Sequence, residues 1–273
     1  MGAVSRIRAL GASLLLACGT AAALEVDGRL DEPEWASAEV RGDFVVSQPL
    51  TLETPRFGTV ARILSLPDGL AVAITSEQPR TEAERRAPAR GRDSSPMASD
   101  LVYVMVDFDG TGVRAYEFMV GRGGAQRDGT WVNENQPSLD WDGRWQSAVA
   151  DDEGEWTVEI LIPWSIVPMR RQDRTTRTIG VNVGRFVESQ GERYSWPAIS
   201  FQQARYVSEF AKVTLPAQSQ SALELFPYAS GTYDLIDDST SGKVGMDIFW
   251  KPGGRFQLNA ALNPDFGQVE SDD

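Results

Sequence analysis

Trp131 and Trp141 stand in a polar, turn-rich stretch, Gln126 to Arg144, with few reasons to bury an indole. Asn133, Glu134, Asn135 and Gln136 lie between them, and Trp196 follows close on Tyr194. Indole faces packed on apolar C–H faces, with amides reaching hydroxyls, are how a pyranose ring is held. Trp131, Trp141, Trp196, Asn133 and Asn135 are the candidate ligand-binding residues; the other reading is that these tryptophans serve the fold. Trp35, Trp145 and Trp156 sit at the edges of strand patterns and Trp164 follows Pro163, so these four read as core.

A second chemistry is written at Asp107-Phe108-Asp109-Gly110-Thr111-Gly112, with two carboxylates at alternate positions before a glycine turn. Many calcium loops open this way, although the third acid and distal Glu of an EF-hand are missing. Asp107 and Asp109 are candidate metal ligands; the other reading is an ordinary turn whose aspartates bond the backbone. Asp151-Asp152-Glu153-Gly154 reads as a hairpin turn, and Gly121-Arg122-Gly123-Gly124 opens no helix and so cradles no phosphate.

Absences narrow the chemistry further. The chain has no histidine, which removes histidine triads and imidazole metal sites. Cys18 is the only cysteine, so a chain cleaved after Ala23 has neither thiol catalysis nor a disulfide. A glycosidase needs two carboxylates facing one cleft, and no motif singles out such a pair. The reading is a non-enzyme. The formal net charge is −13, and losing Arg6 and Arg8 makes it −13 − 2 = −15, which argues against nucleic acid and anionic lipid as partners. A neutral glycan is compatible with that charge. At 41% hydrophobic and 24% charged residues, the composition is that of a folded globular chain.

The elements that must position these residues read as β. Thr59 to Leu66 and Leu70 to Thr75 form a hairpin about Pro67-Asp68-Gly69. Leu101 to Phe108 is a continuous apolar run that suits a strand buried on both faces. Tyr116, Phe118 and Val120 alternate with Glu117 and Met119, and strands follow at Trp145–Val149, Trp156–Ile162, Ile179–Val187 and Ser208–Leu215. Short strands with turn residues between them predict an all-β antiparallel sandwich. Glu32 to Val40 has room for a turn or two of helix behind Pro33. Gln78 to Ser99, rich in arginine, reads as a long surface loop, and Pro216 to Ser221 as a linker.

Both ends carry signals. Arg6 and Arg8, the apolar Ala9 to Cys18 and the small Ala21-Ala22-Ala23 make residues 1–23 a secretory signal peptide. The alternative is a lipoprotein site at Leu15-Leu16-Ala17-Cys18. Export places the chain in the periplasm or outer membrane. At the other end Val244, Met246, Ile248 and Trp250 share one face, as do Phe256, Leu258, Ala260 and Leu262. Such alternation suits strands of an outer-membrane barrel, or a soluble hairpin.

Asp27-Gly28-Arg29-Leu30-Asp31-Glu32-Pro33-Glu34-Trp35 resembles the opening of carbohydrate-binding modules of family 9. The segments Trp141-Asp142-Gly143-Arg144-Trp145, Trp156 to Pro163, Gly180 to Arg185 and Ser195-Trp196 fit the same resemblance. Leu223 to Tyr228 and Asn263-Pro264-Asp265-Phe266-Gly267-Gln268-Val269-Glu270 look like the entry to an uncharacterised TonB-receptor-like barrel family in which such a module comes first. The resemblance implies a family 9-like sandwich over 24–216, possession of a structural calcium in some relatives, and glycan recognition linked to carbohydrate catabolism. It also implies that 217–273 holds a linker and the initial strands of an incomplete barrel. Two alternatives stay open: a structural or partner-binding module, and part of a glycoside hydrolase.

Overall fold

The computed structural model describes residues 24–78, 99–170, 175–218, 222–234, 239–253 and 256–263. Its strands are β1 (Glu39–Arg41), β2 (Val45–Gln48), β3 (Thr59–Ser65), β4 (Gly69–Glu77), β5 (Leu101–Asp107), β6 (Arg114–Gly121), β7 (Gln126–Val132) and β8 (Gln136–Ser138). They continue as β9 (Gln146–Asp151), β10 (Glu155–Pro163), β11 (Thr176–Val187), β12 (Glu192–Trp196), β13 (Ala211–Pro216), β14 (Ala222–Asp234), β15 (Ser239–Gly253) and β16 (Phe256–Leu262). All pairings are antiparallel.

Two sheets make the sandwich. One runs β1-β3-β4-β10-β9, the other β2-β12-β11-β5-β6-β7-β8, with β13 also on β11. Successive side chains of a strand point to opposite faces, so each strand splits its residues between the shared core and an outer face. The core takes Leu70, Val72 and Ile74 of β4, Val102, Val104 and Val106 of β5, Phe118 of β6, Trp156, Val158 and Ile160 of β10, and Val181 and Val183 of β11. Both outer faces are covered as well. Leu24 and Trp35 pack on Ala71, Ala73 and Leu161 outside the five-stranded sheet. Ile199, Tyr206, Val207 and Phe210 pack on Leu101, Tyr103 and Met105 outside the eight-stranded one. That second cover is why every residue of β5 is buried.

The structure refines the sequence reading at four places. The polar stretch Gln126–Arg144 holds strands β7 and β8, whose alternation escapes notice because Arg127, Asp128 and Thr130 are polar on both faces. The short strand β12 around Tyr194 was not foreseen. Glu32–Val40 is a single 3₁₀ turn, Pro33–Ser37, followed by β1. Gln78, expected at the head of a surface loop, is fully buried: its Nε2 donates to Asp100 Oδ2, and its Oε1 accepts from Arg185 Nη2 and Trp156 Nε1. Residues 79–98 of that expected loop, residues 1–23, read above as a signal peptide, and the motif residues 264–270 lie outside the described residues.

The third sheet, β14-β15-β16, is separate in its pairing. Its register sets Leu223, Trp250 and Leu258 side by side, then Leu225, Ile248 and Ala260, then Pro227, Met246 and Leu262. One face is thus apolar throughout, and Leu223, Leu225, Val244, Trp250, Leu258 and Leu262 on it are exposed. Among the described residues no helix is long and apolar enough to cross a membrane, which says nothing about strands.

Candidate functional site

The outer face of the eight-stranded sheet gathers charge and aromatic rings. β6 offers Glu117 between Ala115 and Met119, β7 offers Arg127 and Trp131, β5 offers Tyr103, and β12 offers Arg193. Tyr103 lies across Gly184: a Cβ at 184 would come within 2.1 Å of the tyrosine ring. Only a residue without a side chain lets the ring lie flat there. Across the rings from β11 and the covering loop, the Arg193 guanidinium lies 5.3 Å from Phe186, 5.5 Å from Phe201 and 5.9 Å from Tyr103. These are cation–π distances.

Loop residues 197–210 supply the cover. Tyr206 meets Trp131 edge-on at 5.3 Å, and Phe201 tilts against Trp131 at 6.4 Å. The Tyr206 hydroxyl donates to Asn182 Oδ1 at 3.0 Å. The β7–β8 turn latches this loop. Glu134 Oε2 accepts the amides of Tyr206 (2.9 Å) and Ser208 (3.0 Å), while Asn135 Nδ2 donates to the Gln203 carbonyl at 2.6 Å. Asn133 and Glu134 make the turn with positive φ, +47° and +69°. Asn accepts the left-handed region at low cost, which explains Asn133 without a ligand.

Burial governs the electrostatics here. It holds the Glu117 carboxyl above its usual range, against the pull of Arg127, the Trp131 indole N–H and Arg193. Arg127 Nη2 stands 3.6 Å from Glu117 Oε2. The Trp131 N–H is near enough to bias that carboxyl yet closes no hydrogen bond by geometry. Burial also raises the Tyr103 phenol, and the Tyr206 phenol strongly. For Glu134 burial is outweighed by the Ser208 and Tyr206 amides, which pull its carboxyl down. Arg127 Nε, Trp131 Nε1, Asn135 Oδ1 and Ser208 Oγ, spread over β7, its turn and the covering loop, are buried and close no hydrogen bond within geometric limits.

The five sequence candidates are not brought to one place. Trp131 and Asn135 belong to this face, and Asn133 forms its turn, donating to Gln136 Oε1. Trp141 packs instead against the shared core, edge-on to Tyr116 at 4.8 Å and Phe118 at 5.8 Å. Trp196 is a buried core residue with the Arg41 guanidinium over its ring. Trp35, Trp145, Trp156 and Trp164 are buried, as their strand-edge positions suggest. Glu117, Arg127, Arg193, Tyr103, Phe201 and Tyr206 were missed. The available signal was Glu117 itself, a carboxylate in an otherwise apolar strand.

Asp107 and Asp109 each have local work. Asp107 accepts the amides of Asp109 and Gly112, closing the turn. Asp109 accepts the Arg170 amide at 2.8 Å and stands 3.5 Å from Arg177 Nη1. Among the described residues the acids close enough to share a cation are others: Asp27, Glu32 and Glu159, whose oxygens lie within 4.8 Å of one another. Glu159 already accepts three N–H groups there, from Asp27, Gly28 and Trp35.

The architecture is an antiparallel β-sandwich similar in fold to family 9 carbohydrate-binding modules. A family 9 module from Caldicellulosiruptor kristjanssonii, solved in complex with glucose, superposes with a TM-score of 0.51 at 13% identity, over 72% of this chain and 94% of that one. A candidate carbohydrate-binding protein from Bacteroides uniformis superposes at 0.50 and 15% identity, over 66% of this chain and 87% of that one. Residues 220–273, which hold β14 to β16, match a family described as Domain of unknown function (DUF5916). No curated protein matches the chain.

Proposed function

We propose that this chain is a non-catalytic glycan-binding module that acts through the outer face of its eight-stranded sheet. The observation that carries the reading is a convergence. Trp131 and Phe201 provide half-buried ring faces, and Glu117, Arg127 and Arg193 provide charged hydrogen-bonding groups on the same face. Sugar recognition needs that mixture: ring faces for apolar C–H groups and polar atoms for hydroxyls. The fold relative solved with glucose supports the same reading. Calorimetric titration of the chain with glucose and cello-oligosaccharides tests it. Saturable binding, lost in Trp131→Ala with the far-UV spectrum intact, is the expected result. A flat titration would leave a structural or partner-binding module.

For the rest of the chain we infer an exported protein of the periplasm or outer membrane whose β14–β16 sheet belongs to a barrel. The in-register apolar face supports this, since strands facing lipid put apolar residues outward on alternate positions. Fractionation of expressing cells tests it: recovery in the outer-membrane fraction supports the reading, and recovery in the soluble periplasmic fraction returns the sheet to a soluble hairpin.

A further inference from the structure

We propose that Glu117 is the positioning residue of the outer-face site: its carboxylate turns the N–H edge of the Trp131 indole inward, so that the ring face is offered to a sugar. The inference rests on the glycan-binding reading above and deepens it. The placement follows from register. Glu117 of β6 stands opposite Gly129 of β7, and the residues two positions either side of Gly129, on the same face, are Arg127 and Trp131. Diagonal neighbours of this kind lie within reach of long and aromatic side chains. Gly129 has no side chain to come between them, so one carboxylate is flanked by a guanidinium and an indole. Arg127 Nη2 stands 3.6 Å from Glu117 Oε2. Trp131 Nε1 is buried although the residue as a whole is only partly so, and the exposed part of the ring is therefore not its N–H edge.

The ring contacts of the indole do not choose that edge. Tyr206 meets Trp131 edge-on and Phe201 tilts against it, but Phe201 has no polar side-chain atom and the Tyr206 hydroxyl donates to Asn182 Oδ1. A carboxylate draws an N–H edge toward it even where no hydrogen bond closes, because charge attracts dipole strongly in a partly desolvated place. The groups facing Glu117 are Arg127 of β7, Arg193 of β12, the Tyr103 phenol of β5 and the Tyr206 phenol of the covering loop. Burial raises the Glu117 carboxyl, against Arg127, the Trp131 N–H and Arg193, so it takes up a proton at higher pH than an ordinary carboxylate. Burial raises both phenols too, which keeps them neutral. At Glu134 burial is outweighed by the Ser208 and Tyr206 amides, which keep that carboxyl charged to lower pH. As pH falls, Glu117 therefore loses its charge before Glu134 does, and the draw on the Trp131 edge goes with it.

Two measurements on the full chain test this, both made from about pH 8 down to about pH 5. One is titration with cellotriose; the other is the Trp131 indole N–H resonance, identified by its loss in Trp131→Phe. Cellotriose affinity is expected to fall about threefold or more toward the acid end, and the indole resonance to move with the same midpoint. Glu117→Gln should remove both responses and bind, even at the alkaline end, about as weakly as the native chain does at the acid end. If that variant does not fold, Arg127→Gln decides: removing the cation should carry both midpoints to higher pH, which a merely structural role would not do. Glu159→Gln, in the opposite sheet, should leave both responses in place. Cellotriose bound equally well across the range, or as well by Glu117→Gln as by the native chain, overturns the proposal and leaves glycan binding standing. No sugar bound at any pH overturns the glycan-binding reading. An indole resonance that then ignores both pH and Glu117→Gln overturns the role of Glu117 as well, whereas one that follows them keeps Glu117 as the group that orients Trp131.

Discussion

The indole N–H of Trp35 donates to Glu159 Oε1 at 2.9 Å, joining two residues 124 positions apart. Glu159 Oε2 accepts the Gly28 amide at 2.8 Å and the Asp27 amide at 3.0 Å. A single carboxyl in β10, fully buried on the outer face of the five-stranded sheet, thus fastens the whole Asp27–Trp35 motif over that sheet. Replacing it with Ala strands three donors, two backbone and one indole. Glu159→Ala should therefore destabilise the sandwich by roughly 2–5 kcal/mol, read from the denaturant midpoint at constant m.

The same carboxyl makes stability depend on pH. Burial pushes Glu159 up to about 7, against the opposing N–H donors, with Glu32 adding to the rise. A carboxyl whose folded value lies above its unfolded one binds more protons in the folded state. Its contribution is therefore present in full below the ordinary carboxylate range and is lost as pH rises from there to about 7. Unfolding free energies measured from pH 4 to 8 should fall over that window by an amount that Glu159→Gln removes. A native profile with the same slope as the Gln variant would contradict this.

Gly184 should tolerate nothing larger. The Tyr103 ring occupies the place of a Cβ at 2.1 Å, and Tyr103 is itself buried between the sheet and the Tyr206 loop. Gly184→Ala is expected to cost about 1–3 kcal/mol, because a packed ring must move. It should also disturb the ring against which Arg193 is set, so its effect on ligand binding should exceed that of an equally destabilising change in the opposite sheet.

The tryptophans separate by role. Trp131→Ala should abolish ligand binding with a smaller loss of stability than a core tryptophan, since its ring is only partly buried on the outer face. Trp196→Ala should instead destabilise by about 3–5 kcal/mol, because that side chain fills the shared core. Thermal melts and titrations on the same preparations distinguish the two. Binding that survives Trp131→Ala would move the site elsewhere.

Glu134 is expected to act on the proposed site through the loop it latches. Glu134→Gln keeps one acceptor oxygen but removes the charge that strengthens its bonds to the Tyr206 and Ser208 amides. The expected result is weaker sugar binding, at least partly restored in Glu134→Asp, and faster amide exchange confined to residues around 201–208. Exchange unchanged in that loop would remove Glu134 from this role.

The all-β sandwich was legible in the chain because its physics is local. Leu70, Val72 and Ile74 alternate with Ala71 and Ala73, Pro67-Asp68-Gly69 turns the hairpin, and Leu101–Phe108 is too apolar to face water on either side. The apolar stripe Val244, Met246, Ile248 and Trp250 was readable for the same reason, since side-chain direction repeats every second residue. Strands β7 and β8 were hidden because their outward residues serve a polar face and Asp128, turned inward, accepts the Trp145 indole N–H, so no hydrophobic period marks them. The site itself depended on tertiary structure. Trp131, Trp141 and Trp196 look alike in a sequence, but strand register and the loop 197–210 leave only Trp131 on the outer face. Glu117, Arg127 and Arg193 come from three strands whose neighbourhood is set by β12–β11–β5–β6–β7 pairing over long range. Periodicity tells which side of its own strand a residue takes; only the packed sheets decide what else reaches that side.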